Sequence, residues 1–443
     1  MGQDLRSKHQ HLRGKSPEDL EYVVPIVTHC DAGPASKKIS AFCLSWQSLL
    51  GVGSELEKLF GISIWLKNYF ADKPDRLRAL LWQSFELMAK KEDVDGNPLA
   101  REREVGPSWG AVWLGEEGDG EFFTVELGLN GANHTEPCPF CACNRSNVPW
   151  TQLGSAAEWR KTIYGYTDFM AKIKRGHPMV EWPSFCEHSV LLCTLHIVDY
   201  KGVMANVFGS AVWTIARNSN AAQFASHFPN CADREARLAA LTAHMRAHNR
   251  ERKITHRIAS LNMRRLFGDD SASGWPCLQG PGIKAANTRA SVSWLLVLVA
   301  LFDDGTPMAK NRYLVVKSMD DSYKTIYSVG VVLTRKQFLR QYFFSLRALR
   351  AYNWLALDAC YSGVLAWHTI PKLHYFAELC RRAELLNPRF TQTYAGESFV
   401  GRVMPICKRA LNGPHANTFQ RTVITKYLSG VEIDARGAAF VLD

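Results

Sequence analysis

Between Tyr22 and Gly33 the run YVVPIVTHCDAG is a nearly unbroken series of β-branched and apolar residues ending on Asp-Ala-Gly. This is the pattern of a buried strand that delivers Asp31 to the edge of a sheet. KISAFCLSW (Lys38–Trp46) and GISIWLKNYF (Gly61–Phe70) are again short, aromatic and β-branched, so three consecutive strands are expected to form a meander. After Pro74 the period changes. PDRLRALLWQSFELMAKK carries apolar residues three and four apart behind a proline and predicts an amphipathic helix. SWGAVWLGEEGDG (Ser108–Gly120) predicts a fourth strand ending in an acidic, glycine-flanked turn, and FFTVELGL opens a helix. The order strand, strand, strand, helix, strand, helix is that of an RNase H-like core.

The stretch 143–370 does not alternate in this way. DREARLAALTAHMRAHNRERK and RKQFLRQYFFSLRALRAYNWLALDACYSGVLAW repeat their apolar residues at helical spacing and predict a large, mainly helical insertion. PKLHYFAELCRRAELL and GESFVGRVMPICKRAL then return to helix, with Gly413-Pro414 marking a break. The expected fold class is α/β: an RNase H-like core, with a mixed five-stranded sheet flanked by helices, interrupted by a large α-helical insertion. Its organisation reads as a flexible segment over 1–20, the first part of the core over 21–142, a zinc-knuckle-like segment and insertion over 143–370, and helices completing the core over 371–443. A chain of 443 residues exceeds one ordinary compact core, which agrees with such a division.

Charge narrows the partners. Lys and Arg outnumber Asp and Glu by 53 to 42, a formal charge of +11, so polyanions are attracted and DNA is the first partner to consider. The densest basic stretch, His244 to Arg265, gathers Arg246, Arg250, Arg252, Lys253, Arg257, Arg264 and Arg265 with few acids between them. Lys408 and Arg409, with Arg421 and Lys426, form a second group. Runs of this kind also occur as solvated helix faces. The twelve cysteines read as reduced thiols of a nuclear or cytoplasmic protein, the polar opening MGQDLRSKHQHLRGKSPEDL predicts no signal peptide, and the longest apolar stretch, Trp294–Phe302, is too short to span a bilayer.

Two kinds of metal chemistry can be read from side chains. Asp31 and Asp119 at strand ends and Glu397 on a late helix could each supply one carboxylate to a pair of Mg2+ or Mn2+ ions, hard cations that take oxygen ligands. Glu121 and Glu126 compete for the second position, whereas Glu116 and Glu117 read as solvated loop acids. Cys138-Pro-Phe-Cys141, with Cys143 beside it, has the spacing of half a structural Zn2+ site, which Cys193 and His196, or Cys186 and His188, could complete.

Several of these segments resemble a known family. Thr28-His29-Cys30-Asp31-Ala32-Gly33 resembles the first-acid motif of CACTA-like DDE transposases and their divergent relatives in protist, especially dinoflagellate, genomes. Gly118-Asp119-Gly120-Glu121-Phe122-Phe123 through Cys141 resembles the second. Cys193-Thr194-Leu195-His196 fits the Cys-or-Asp, two residues, His signature, and Pro371-Lys372-Leu373-His374-Tyr375, Asn387-Pro388-Arg389 and Gly396–Arg402 resemble the segment that brings in the third acid. The resemblance implies an RNase H fold in which Asp31, Asp119 and Glu397 carry hydrolysis or strand transfer on DNA. The alternative is a catalytically inactive, domesticated or remnant transposase that acts as a nucleic-acid-binding or interaction protein. Whether the chain forms homo-oligomers is left open by the sequence.

Overall fold

The computed structural model describes residues 12–51, 59–66, 83–87, 89–90, 95–97, 110–174, 179–182, 184–217, 220–268, 274–411 and 418–439. In chain order these form α1 (Pro17–Glu21), β1 (Val23–Pro34), β2 (Ser40–Ser48), β3 (Leu59–Leu66), β4 (Gly110–Gly118), α2 (Gly120–Val125), α3 (Tyr166–Lys172), β5 (Val190–Leu192), α4 (Val203–Ala216), α5 (Ala221–His227) and α6 (Arg234–Glu251). There follow α7 (Met263–Phe267), α8 (Ala285–Ala290), α9 (Val292–Leu301), α10 (Pro307–Tyr327), α11 (Arg335–Tyr361), α12 (Pro371–Arg382), α13 (Tyr394–Leu411) and α14 (Phe419–Ala439). Two compact units result: one comprises Met1–Gly131, Tyr164–Cys193 and Gln392–Asp443, the other Ala132–Ile163 and Thr194–Thr391. Among the described residues no helix is long and apolar enough to cross a membrane.

The first unit is built on a five-stranded mixed sheet in the order β3-β2-β1-β4-β5. β1 pairs antiparallel with β2, and β2 with β3; β4 runs parallel to β1 and β5 parallel to β4. The four strands expected from the sequence are all present, each within a few residues of its expected bounds, although Lys67–Phe70 of the third lie outside the described residues. The fifth, Val190–Leu192, is three residues long and carries no period of its own. It explains why residues 164–193, inside the stretch read as insertion, return to the sheet unit. Of the helix expected after Pro74, residues 83–87 and 89–90 are helical and the rest lies outside the described residues.

Each face of the sheet is closed by a different layer. On one, Ala41, Cys43, Ile64 and Leu66 pack against Phe399, Val400, Val403, Met404 and Cys407 of α13 and Phe419, Val423 and Tyr427 of α14. On the other, Trp113 stacks between Phe85 and Phe185, at ring separations of 5.4 and 6.4 Å, and donates its indole N–H to Thr28 Oγ1 at 2.8 Å.

Glu116 and Glu117, read from sequence as solvated loop acids, are instead completely buried in β4. The acidic pair sits in the strand rather than in the turn that follows it. Glu116 is hydrogen-bonded to Thr28, and Gln47 donates to Glu117 Oε2 at 2.9 Å. Burial pushes the Glu116 carboxyl up to about 8, against the bond from Thr28, and pushes Glu117 well above the carboxylate range.

The second unit is helical. α10 and α11 pack antiparallel: Gln341 donates to Ser322 Oγ at 2.6 Å, and one turn and a half further on Arg347 donates to Ser318 Oγ at 2.7 Å and to Asp321 at 3.1 Å. Buried Asn387 donates from one amide to the carbonyls of Ile326 and Gly330, both at 2.9 Å, closing the end of α10. A π-helical turn, Leu195–Asp199, precedes α4, and Tyr323 of α10 donates its hydroxyl to buried Asp199. α4 is almost wholly buried, and at Gly209 it touches the backbone of Pro276 and Cys277 so closely that an added Cβ would lie 2.5 Å from the Cys277 nitrogen.

Two outcomes are expected. Gly209→Ala destabilises the chain by about 1–3 kcal/mol, the usual cost of forcing extra volume into a packed interior, read as a lowered denaturation midpoint. The Glu116 carboxyl holds its proton in the folded chain up to about 8, whereas its ordinary value is 4.5, so stability is greatest below the lower value and falls as pH rises toward the upper one. The loss is at most about 1.4 kcal/mol per pH unit for the group. Glu116→Gln should flatten that decline in denaturation curves between these limits, and an unchanged slope would show that Glu116 does not cause it.

Candidate metal centre

The three acids expected to act together all lie in the sheet unit. Thr28 stands opposite Glu116 and His29 opposite Glu117 in the parallel pairing of β1 with β4. Asp31 follows two residues later within β1, where it pairs with Cys43 of β2, and Asp119 lies just past the end of β4 as the N-cap of α2. Because side chains alternate along a strand, His29, Asp31 and Gly33 face one side of the sheet. α13 covers that side. Gly396 lies against the His29 ring, where an added Cβ would come within 2.4 Å of Nδ1, and Gly33 lies under Val400 and Met404. Glu397 follows Gly396 in the first turn of α13 and is exposed, its backbone N–H donating to the Thr393 carbonyl at 2.8 Å.

Asp31 and Asp119 are both half-buried and each already serves its local backbone. Asp31 Oδ1 accepts the Ala32 N–H at 2.7 Å, and Asp119 caps α2, accepting the Phe122 N–H at 2.7 Å. Of the competitors, Glu121 is exposed in the first turn of α2 and Glu126 is half-buried at its end. Among the described residues no set of three groups that includes a carboxylate brings its ligand atoms within 4.8 Å of one another.

One other set does. In the helical unit Cys138, Cys141, Cys143 and His374 are fully buried, and their three Sγ atoms and one imidazole nitrogen all lie within 4.8 Å of one another, a group that could hold a metal ion such as zinc. His374 Nε2 is 3.4 Å from Cys141 Sγ and 3.6 Å from Cys143 Sγ. The loop is shaped around the sulfurs: the Phe140 N–H donates to Cys138 Sγ at 3.4 Å, and Cys141 forms an isolated bridge with Ile163. The histidine is fixed from α12, its ring meeting the edge of buried Trp159 at 4.5 Å. Next to it, Tyr375 donates its hydroxyl to the Pro137 carbonyl, and the Arg382 guanidinium lies 4.2 Å over the Phe140 ring. The Cys141 thiol is held far below its usual range because those of Cys138 and Cys143 donate to it and His374 faces it.

This cluster differs from the expected ligand set. Cys138 and Cys141 are members, but Cys193 and His196 are not: Cys193 Sγ lies 3.0 Å from Thr393 Oγ1, and His196, in the π-helical turn, meets the Tyr200 ring edge-on. Cys186 and His188 are not members either; His188 Nε2 is 3.4 Å from Glu187. The groups gathered beside the pair are Cys143, visible in the sequence next to it, and His374, which is 231 residues from Cys143 and follows no spacing rule.

The basic stretch forms the end of α6, the loop after it and the middle of α7. Arg246, Arg250, Arg252, Lys253, Arg257 and Arg264 are exposed and Arg265 is half-buried. Two of them hold the loop as well as face solvent: Arg246 donates to the Ala259 carbonyl at 2.7 and 3.1 Å, and Arg257 to that of Ile254 at 2.6 Å. In the sheet unit Lys408 and Arg409 are exposed in the last turn of α13, and Arg421 and Lys426 are exposed on α14. The chain as a whole matches no protein-family model and no curated protein sequence.

Proposed function

We propose that this chain is a DNA-handling protein of the RNase H-like, DDE-transposase kind, in which Asp31, Asp119 and Glu397 hold a pair of Mg2+ or Mn2+ ions. What supports the reading is the strand order β3-β2-β1-β4-β5, with only β2 running against the others, combined with a parallel register that pairs His29 of β1 with Glu117 of β4, two residues before Asp31 in one strand and two before the Asp119 cap that follows the other. That arrangement, with α13 laid across the same side, is the scaffold on which this chemistry is carried. Carboxylate oxygens suit hard divalent cations. When bound, a cation pair supplies activation of the attacking water or 3′-hydroxyl and stabilisation of the leaving oxygen at a DNA phosphate. The chain contributes Asp31 from within β1, Asp119 from the turn after β4, and Glu397 from α13 beside the glycine that packs against β1, while the exposed Arg and Lys groups engage the phosphate backbone.

A second reading, binding without cleavage, is favoured by two observations: Asp119 is already used as the α2 cap and Glu397 is exposed. The two readings separate on one assay. On the first, the chain nicks duplex DNA in a Mg2+-dependent reaction that Asp31→Ala and Glu397→Ala each abolish; nicking that survives either substitution sinks the assignment. On the second, binding is retained without any Mg2+-stimulated cleavage. In both, replacing Arg250, Arg252 and Lys253 together with Ala should weaken DNA binding uniformly across sequences. The slope of log affinity against log salt should become shallower by about 0.9 for each phosphate that is no longer neutralised. An unchanged slope would assign those residues to a solvated surface.

A further inference from the structure

We propose that Cys138, Cys141, Cys143 and His374 bind one Zn2+ ion in a closed, structural site that ties the first segment of the helical unit to α12. The geometry carries this. A tetrahedral ion with Zn–S of about 2.3 Å and Zn–N of about 2.0–2.1 Å has S···N edges of about 3.5 Å; the two such edges that His374 makes are 3.4 and 3.6 Å. The four ligand atoms are already gathered at the spacing of a metal shell, although they come from a loop and a helix more than 230 residues apart.

The donor set selects the ion. Three thiolates and an imidazole in a tetrahedral arrangement suit zinc, whereas Mg2+ and Ca2+ want oxygen. It also selects the role. Four protein ligands fill a tetrahedral shell, and all four residues are fully buried, so no position remains for water or substrate. Binding at Nε2 puts the imidazole proton on Nδ1, and ion entry displaces to solvent the protons that the thiols still carry. Around the four ligands the Phe140 N–H already points at a sulfur, the Trp159 ring packs edge-on against the imidazole, and the Tyr375 hydroxyl clamps the loop at Pro137.

The site closes a loop of more than 230 residues that contains most of the helical unit. A link of that span removes a large amount of freedom from the unfolded chain, so metal content and folding of this unit are coupled.

The test uses the full chain. Elemental analysis of the purified protein should give one zinc per chain, and Co2+ added to metal-free protein should give the intense visible absorption of a tetrahedral thiolate site, bleached by added Zn2+. Cys143→Ser and His374→Ala should each lose most of the zinc, while Cys193→Ser and His196→Ala should retain it. Should the first two variants fail to fold, the Co2+ spectrum of the unaltered chain still decides the matter, since an octahedral, weakly absorbing complex would overturn the proposal. Iron or copper recovered in place of zinc, a Cys138–Cys141 disulfide with no metal, or zinc that persists in His374→Ala would overturn it equally.

Discussion

Strand β1 is hydrogen-bonded along both edges, antiparallel to β2 and parallel to β4, and the arrangement of the sheet unit follows from that double pairing. A strand held on two sides cannot slide by one residue without sending His29, Asp31 and Gly33 to the opposite face. Its parallel neighbour comes from well along the chain, since β4 begins more than seventy residues after β1 ends. The cover of α13 and α14 on one side and of the Trp113 stack on the other then fixes which face each residue occupies. Buried Glu116 and Glu117 are the cost of this packing: consecutive residues of a doubly covered strand have no face that reaches water, so both carboxyls are driven toward the neutral form.

The strands of this sheet were legible because each is a run of β-branched and aromatic residues bounded by polar turns. YVVPIVTHCDAG and GAVWLGEEG need no partner in view to be recognised as buried. Val190–Leu192 was not legible, since three apolar residues could belong to anything, and only the exposed edge of β4 makes them a strand. Glu116 and Glu117 misled for a related reason: two adjacent acids before Gly-Asp-Gly look like a turn, and only the pairing with β1 and β5 keeps them inside the sheet.

The helical unit shows the same division between local and long-range information. The Cys-x-x-Cys pair announces itself, because two thiols at that spacing fit one ion whatever the rest of the chain does. The histidine that joins them is chosen by helix packing, with Trp159 and Tyr375 placing α12 against the loop, and packing of that kind leaves no periodic trace. Cys193 and His196 were attractive by proximity along the chain, but the π-helical turn puts His196 against Tyr200, while Cys193 is taken up by Thr393.

The close approach of Gly396 to the His29 ring has an evolutionary consequence. α13 can reach β1 only because that position has no side chain, so even one methyl group would lift the helix, and Glu397 with it, away from the strand end. A lineage that acquired a side chain at this position would therefore shift Glu397 relative to β1 while keeping every carboxylate in its sequence.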